Sequence, residues 1–440
     1  MLRFGTDGVR GVALTELTTE YVGALGAAVS TVLGGDAWLI ARDTRESGPA
    51  LEAALVSGLH AGGRTVMLCG VLPTPALALL SAQRALPAAM ITASHNPYAD
   101  NGVKIFAAGG TKLTDEVERR IEQQLAAAPT LPPVSVSEPL VIGDAVDQYI
   151  AHMLSLFPTG GLRGMRLVLD CANGAMSVAA PAVAAALGAE VTVIHAEPNG
   201  TNINAACGAT HTASLAAAVL AVGADAGLAF DGDGDRVIAI DNHGHVVDGD
   251  RLIALGALQL QAEGRLTGNA VVVTVMSNLG FHRAMRAAGI GVVATSVGDR
   301  YVLEALEAGD YAIGGEQSGH VIYRHDATTG DGLLAGLRLL HHVRASQRAL
   351  ADMATDVMTT YPQVLVNVRV ANQHPEIAAE LAAEIAAAET LLGDDGRVLV
   401  RASGTEPLVR VMVEAATDSA ARTVAESLAA VVHERFAPGR

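Results

Sequence analysis

At 440 residues the chain is too long for one hydrophobic core, so two to four domains are expected. Half of the residues are hydrophobic and only 17% are charged, which excludes a disordered protein. A net charge of −17 leaves no basic surplus for nucleic acid or an anionic membrane surface, so to bind an anion this chain must gather its few cations in one place.

The predicted elements alternate from the start. Residues 37–41 and 66–69 read as buried strands with a helix at 49–61 between them. An apolar run at 87–91 leads into the loop ITASHNP and a loop-like Asp100-Asn101-Gly102, and a Pro/Ser-rich connector is expected at 129–139. Strand 166–170, helix 176–187, strand 190–194, helix 212–222 and strand 225–230 follow. A turn, a short strand and a helix start are read in 241–250. Next come helix 250–262, strand 270–275, helix 279–288, strand 290–294, helix 299–308 and strand 311–314. Beyond Tyr361-Pro362 the order changes to a strand, helix 375–388, strands 397–401 and 408–414, and helix 418–434. The pattern predicts three similar α/β mixed-sheet domains, at 1–150, 151–249 and 250–362, and a smaller C-terminal α+β domain at 363–440. Ligands in such folds bind beyond the carboxyl ends of the strands.

Cys69, Cys171 and Cys207 are far apart and form no CxxC pair, so neither a disulfide framework nor a zinc knuckle is expected. The start MLRFGTDGVRG lacks the apolar core of a signal peptide, and the uncharged run at 65–83 is interrupted by Pro73 and Pro75. A soluble cytoplasmic protein is expected.

The first chemical signal is Asp231-Gly232-Asp233-Gly234-Asp235-Arg236, which follows a buried strand. Three alternating carboxylates repel one another unless a cation neutralises them, and hard oxygen ligands suit Mg²⁺. An acidic surface turn is the alternative. An EF-hand fails, because Arg236 occupies the glycine position and Asn242 the place of the bidentate Glu.

Ser94 has three readings: a nucleophile with His95 as base, a helix cap, or a phosphate carrier. Ala93 and His95 do not fit the G-x-S-x-G elbow, and an irregular loop rather than a helix follows, which favours the phosphate. Lys104 and Lys112 are the only lysines. A chain that otherwise uses Arg keeps a lysine by chance or where a proton must move, and Lys104, ten residues after Ser94, is the better candidate. In GGEQSGH, Glu316 and Ser318 can read hydroxyl groups, and His320 is either a proton carrier or a structural hydrogen-bonder. Arg401 and Arg410 flank Ser403, Gly404 and Thr405 in a turn between strands, which is a phosphate cradle or a hairpin with incidental arginines. Walker A and G-x-G-x-x-G fingerprints are missing.

Together FGTDGVRG, ITASHNPYADNGVKIF, DGDGDR, SVGDRYV, GGEQSGH and RASGTEPLVRVMVE, in that order over the whole chain, resemble the α-D-phosphohexomutase superfamily. The resemblance implies four domains around a central cleft. It implies that Ser94 is the phosphoserine, and that Asp231, Asp233 and Asp235 with a phosphoserine oxygen hold one Mg²⁺. It assigns proton transfer to Lys104 and His320, sugar hydroxyls to Glu316 and Ser318, and the distal phosphate to Arg401, Ser403, Gly404, Thr405 and Arg410. Arg10, Arg236 and Arg300 match cationic positions lining the cleft. The sugar loop, the GTEP turn and the chain start look like the glucosamine branch. The expected substrate is a hexosamine phosphate, turned over through a 1,6-bisphosphate that also serves as activator, and the product feeds UDP-N-acetylglucosamine and cell wall. The same chemistry on glucose or mannose phosphates, and a Mg²⁺-dependent sugar phosphatase, are the alternatives. A homodimer is compatible with the resemblance.

Overall fold

Short Val/Ile/Leu/Ala runs have too few polar side chains to face water, and sheets covered on both faces absorb them. The strand Ala226–Phe230 is buried at every position, as is Ala270–Thr274. The computed structural model describes residues 2–5, 7–127, 138–403 and 407–437, so most of the expected connector at 129–139 lies outside the described residues.

Four sheets result. The first has seven strands, in the order Val9–Val12, Asp100–Ala107, Ala88–Ile91, Ala37–Arg42, Thr65–Val71 and Leu140–Val141, with Thr111–Lys112 beside Asp100–Ala107. The second has five, Val246–Val247, Val237–Asp241, Ala226–Phe230, Arg166–Asp170 and Glu190–Ile194. The third has four, Gly291–Thr295, Ala270–Thr274, Ile313–Gly315 and Val321–Tyr323. The fourth has three antiparallel strands, Gln363–Arg369, Leu408–Glu414 and Arg397–Ala402. Each sheet carries its own apolar cluster, around Trp38 and Leu55, Val168 and Val219, Val272 and Leu306, and Val411 and Leu428. Each such fully buried side chain contributes about 1.5–3 kcal/mol.

The first three sheets share one device. A parallel strand turns back as an antiparallel hairpin: Ala88–Ile91 into Asp100–Ala107, Ala226–Phe230 into Val237–Asp241, and Ile313–Gly315 into Val321–Tyr323. The three turns carry Ser94, the aspartate triplet and the Glu316–His320 loop, at the carboxyl ends of those strands. The mixed-sheet expectation therefore holds, and the similarity of the three units is in their hairpins.

Several local expectations change. Residues 100–102 open a strand rather than a loop. The Asn101 amide donates to Ser47 Oγ at 2.9 Å, and neighbouring strands press so close to Gly102 that a Cβ would lie 2.6 Å from Thr92 O and 2.7 Å from Val9 O. The helix expected at 375–388 is two, Ile377–Glu380 and Ala382–Leu392, because fully buried Leu381 between them leaves the helical backbone region, at φ −113° and ψ 18°. Helices Gly332–Ser346 and Leu350–Val357, in a stretch where no element was read, form the rest of the third unit.

The chain forms two compact bodies, Met1–Met276 with Ile290–Val357, and Ser277–Gly289 with Met358–Arg440. The helix Leu279–Ala287, which the sequence places in the third unit, thus packs with the fourth. Glu414 accepts from the Leu279 N–H at 3.1 Å, and Arg397 donates to Ser277 O at 2.8 Å.

Candidate active site

Ser94 sits at φ 51°, in the left-handed region that a side chain enters only when its surroundings over-determine it. Thr92 Oγ1 accepts its N–H at 2.9 Å, and its carbonyl accepts from Arg45 Nη2 at 2.9 Å and Asn204 Nδ2 at 2.8 Å. Arg45 is fully buried, is paired with Asp43 at 2.8 Å, and also donates to the carbonyls of Asn96, Pro97 and Asp100. One guanidinium thus reaches four carbonyls of the turn. The Ser94 hydroxyl donates to Asp231 Oδ2 at 2.6 Å, while His95 Nδ1 stands off at 3.4 Å. Burial, with Arg236 and Arg10 nearby, pushes His95 down to about 4, and no carboxylate among the described residues pairs with it. A serine–histidine–acid triad is therefore not built here.

Asp231, Asp233 and Asp235 are all buried, with one oxygen of each inside a 4.8 Å cluster. Gly232 lets the two loops meet, since a Cβ there would lie 2.6 Å from Ser94 O. Thr74 Oγ1 donates to Asp233 Oδ2 at 2.5 Å, and Arg236 N–H donates to Asp231 Oδ1 at 3.2 Å. Asp233 Oδ1 and Asp235 Oδ1 are buried without a hydrogen-bond partner among the described residues. Burial, then repulsion from Asp233 and Asp235, holds Asp231 well above the usual carboxylate range. Orphaned hard oxygens beside a carboxyl that resists ionisation are what a divalent cation would relieve, so the triplet fits a metal ion.

Lys104 sits among carboxylates. Its ammonium donates to Asp233 and Asp235 at 2.8 Å each and lies 2.9 Å from Asp7. Burial pushes it down, but the three carboxylates outweigh that and hold it well above its ordinary value. Asp7 is the hub the sequence reading passed over. It meets Lys104, Lys112 at 2.6 Å and Arg10 at 2.6 Å. Burial opposes its ionisation, yet the three cations hold it well below the carboxylate range.

His320 is 1% exposed. Its Nε2 accepts from Gly330 N–H at 3.1 Å and lies 3.5 Å from Asp299, while Nδ1 lies 3.7 Å from Asp235. Burial favours the neutral ring, but Asp235 and Asp299 prevail and raise its pKa. The Gly330 contact favours a proton on Nδ1; the carboxylates favour a second one. Glu316 Oε1 accepts from Gly298 N–H at 3.1 Å and its Oε2 from exposed Ser318 at 3.1 Å. Arg10, Arg236, Asp7, Asp299, Glu316 and His320 line a cavity of about 370 Å³, a size that suits a small ligand. Arg300, expected to line the cleft, does not reach that cavity: its guanidinium is bound by Asp115 and Glu118.

Arg401, Ser403 and Arg410 belong to the second body, and Gly404 and Thr405 lie outside the described residues. Arg401 and Arg410 face each other across the Arg397–Ala402 and Leu408–Glu414 pair. Among the described residues neither has an ion-pair partner, and burial and then Arg410 lower the Arg401 pKa. Like charges opposite one another on a sheet destabilise it, so the pair favours an anion.

The sequence reading missed Asp7, Thr74, Asn204 and Asp299, and it singled out neither Arg45 nor the charge-rich run RDTRE at 42–46 around it. That run, directly after a buried strand in a sparsely charged chain, was the available signal.

This fold and site define the phosphohexomutase class. The chain matches the descriptions "Phosphoglucomutase/phosphomannomutase, alpha/beta/alpha domain I" over 1–131, domain II over 147–244, domain III over 248–361 and the C-terminal domain over 365–431. It belongs to the phosphoglucomutase/phosphomannomutase family and is a mutase, an isomerase. It is 52% identical over 453 residues to the phosphoglucosamine mutase of Frankia casuarinae, covering 99% of both chains. It is 51% identical over 444 residues to that of Rhodococcus jostii, covering 98% of both. A phosphoglucomutase/phosphomannomutase family protein from Burkholderia thailandensis superimposes with TM-score 0.82 at 25% identity, over 98% of this chain and 97% of that one. N-acetylphosphoglucosamine mutase of Aspergillus fumigatus, solved with GlcNAc-6P and magnesium, shares the fold at TM-score 0.73 and 21% identity, over 99% and 96%. No helix among the described residues is long and apolar enough to cross a membrane.

Proposed function

We propose that the chain interconverts glucosamine 6-phosphate and glucosamine 1-phosphate through a phosphoserine at Ser94 and a 1,6-bisphosphate, with the product feeding UDP-N-acetylglucosamine. The observation that carries the chemistry is the Ser94 hydroxyl at 2.6 Å from Asp231 inside the carboxylate triplet. The substrate reading rests on relatives of that name at about half identity along the whole chain.

Phospho-Ser94 passes its phosphoryl group to the free sugar hydroxyl. The Oγ–P bond breaks, the sugar O–P bond forms, and the hydroxyl proton goes to a base. The bisphosphate turns, its other phosphoryl returns to Ser94, and the isomeric monophosphate leaves. A bound Mg²⁺ on Asp231, Asp233 and Asp235 supplies charge neutralisation for the transferring group. Lys104 accepts a proton only once its carboxylate partners are neutralised otherwise, because they hold it as the ammonium. His320, with Nδ1 turned to Asp235, is the second proton carrier. Glu316 and Ser318 take sugar hydroxyls, Arg10 and Arg236 give the cavity its cations, and Arg401, Ser403, Gly404, Thr405 and Arg410 hold the other phosphate. The four domains are taken at 1–150, 151–249, 250–362 and 363–440. The place of action is the cytoplasm, and sedimentation would separate a monomer from a homodimer.

The test is a discontinuous assay with Mg²⁺ and a trace of hexose 1,6-bisphosphate. Glucosamine 6-phosphate, glucose 1-phosphate and mannose 1-phosphate are supplied separately. Fastest isomerisation of the glucosamine substrate is expected. Preference for another sugar overturns the substrate, and release of free phosphate in step with substrate loss overturns the mutase in favour of a phosphatase.

A further inference from the structure

The second lysine has no part in the steps above, yet its side chain is only 8% exposed. Lys112 lies on the short strand Thr111–Lys112, and its ammonium bridges Asp7 Oδ1 at 2.6 Å and Asp299 Oδ2. Burial pushes its pKa down, but Asp299 and Asp7 outweigh that, so it is a fixed positive charge. The next residue after Asp299 repeats the arrangement with the signs reversed. Arg300 is 4% exposed and is held by Asp115 and Glu118 of the helix Asp115–Ala127. An acid and a base, adjacent at the start of the helix Asp299–Gly309, are thus each gripped by the opposite charge from the first α/β unit. A third tie lies beside them, where Thr328 Oγ1 donates to Gly110 O at 2.8 Å.

What these contacts immobilise faces the cavity. Val297, Gly298 and Asp299 line it, and the Gly298 N–H donates to Glu316 Oε1 at 3.1 Å. Gly298 lies at φ 136°, and Glu316 is only half-buried. We propose that Lys112 with Asp299, and Arg300 with Asp115 and Glu118, form a two-armed charge clamp that seats the 297–299 turn and, through Gly298, aims Glu316 at the sugar ring. Lys112 is then a positioning residue: it sets how well the sugar is held without touching it. The inference rests on the sugar-phosphate reading above and adds a determinant of sugar affinity outside the cavity wall.

A neutral replacement leaves the opposite buried charge uncompensated, so polar side chains that can still hydrogen-bond to it are chosen. Lys112→Gln breaks one arm and Glu118→Gln loosens the other. Each is assayed for kcat and KM on glucosamine 6-phosphate, with thermal unfolding as the check on folding. For Lys112→Gln the expected result is a rise in KM of about 10- to 100-fold that exceeds the fall in kcat, the latter following from the loss of one cation beside Asp7 and Asp299, which also touch Lys104 and His320. Glu118→Gln should move KM in the same direction by less, and the double variant should be less than additive, since both arms hold one turn. Should Lys112→Gln fail to fold, Glu118→Gln and Lys112→Arg carry the test, with Lys112→Arg expected to keep KM near that of the unaltered chain. Folded variants with unchanged KM, or with kcat and KM unchanged beside a lowered thermal midpoint, overturn the clamp alone. Lack of turnover in the unaltered chain overturns the functional reading and the clamp's role with it.

Discussion

The aspartate loop at 231–236 and the arginine hairpin at 401–410 are both dense in charge, but they solve opposite problems. In the first, every carboxylate is buried and answered from elsewhere in the chain: Ser94 on Asp231, Thr74 and Lys104 on Asp233, Lys104 and His320 beside Asp235. In the second, two half-buried guanidiniums face each other and no described carboxylate answers them. The first has a partner for each carboxylate yet keeps two orphaned oxygens; the second has no described counter-charge at all. Groups fixed beforehand suit bond-making, whereas cations left unanswered suit an anion.

The largest expected effect strikes the buried region at its centre. Ser94→Ala should abolish isomerisation of every sugar phosphate and any phosphorylation of the chain by hexose 1,6-bisphosphate, read by intact mass. Surviving turnover would place the phosphoryl acceptor elsewhere. Asp233→Asn should cut kcat by at least about 100-fold and weaken Mg²⁺ binding in calorimetry, while Lys104 loses one of its three carboxylates.

Arg45→Met tests whether the region is fixed from behind. It leaves Asp43 as a buried unpaired carboxylate and four carbonyls without this donor, so a loss of about 3–5 kcal/mol in urea unfolding is expected. Asp331 supplies a pH signature. It accepts from Tyr149 OH at 2.8 Å, caps the helix Gly332–Ser346, and follows Gly330, the donor to His320. Burial pushes it up to about 6 from 3.8. Because the folded chain binds this proton more tightly than the unfolded one, the contribution is greatest below about 4 and is lost as pH rises through about 6. Asp331→Asn keeps a capping oxygen and should remove a slope totalling about 3 kcal/mol across that window, measured as urea midpoints against pH.

The smallest effect belongs to the open hairpin. Arg401→Gln should raise KM for sugar monophosphates about tenfold and leave stability unchanged or slightly higher, since it relieves the repulsion from Arg410. A fall in stability would mean that the pair is structural.

The sequence by itself determined the alternation that makes three α/β units and a different fourth, because strand and helix leave distinct apolar periods in a chain with little else in its cores. It also marked the candidate site. Ser94, the aspartate triplet, Glu316 and His320 were legible because polar residues and glycines break the pattern directly after buried strands. Only the tertiary structure decided what those residues meet. Asp7 lies 97 residues before Lys104 in sequence yet 2.9 Å from it in space, and Lys112 is 187 residues from Asp299. No local pattern encodes such pairs. The tertiary structure also set the company of two expected site residues: Lys104 is held as the ammonium by three carboxylates, and Arg300 pairs with Asp115 and Glu118. The reason is the same in both cases. A charge taken out of water acquires its properties from its neighbours, and the neighbours are chosen by the fold.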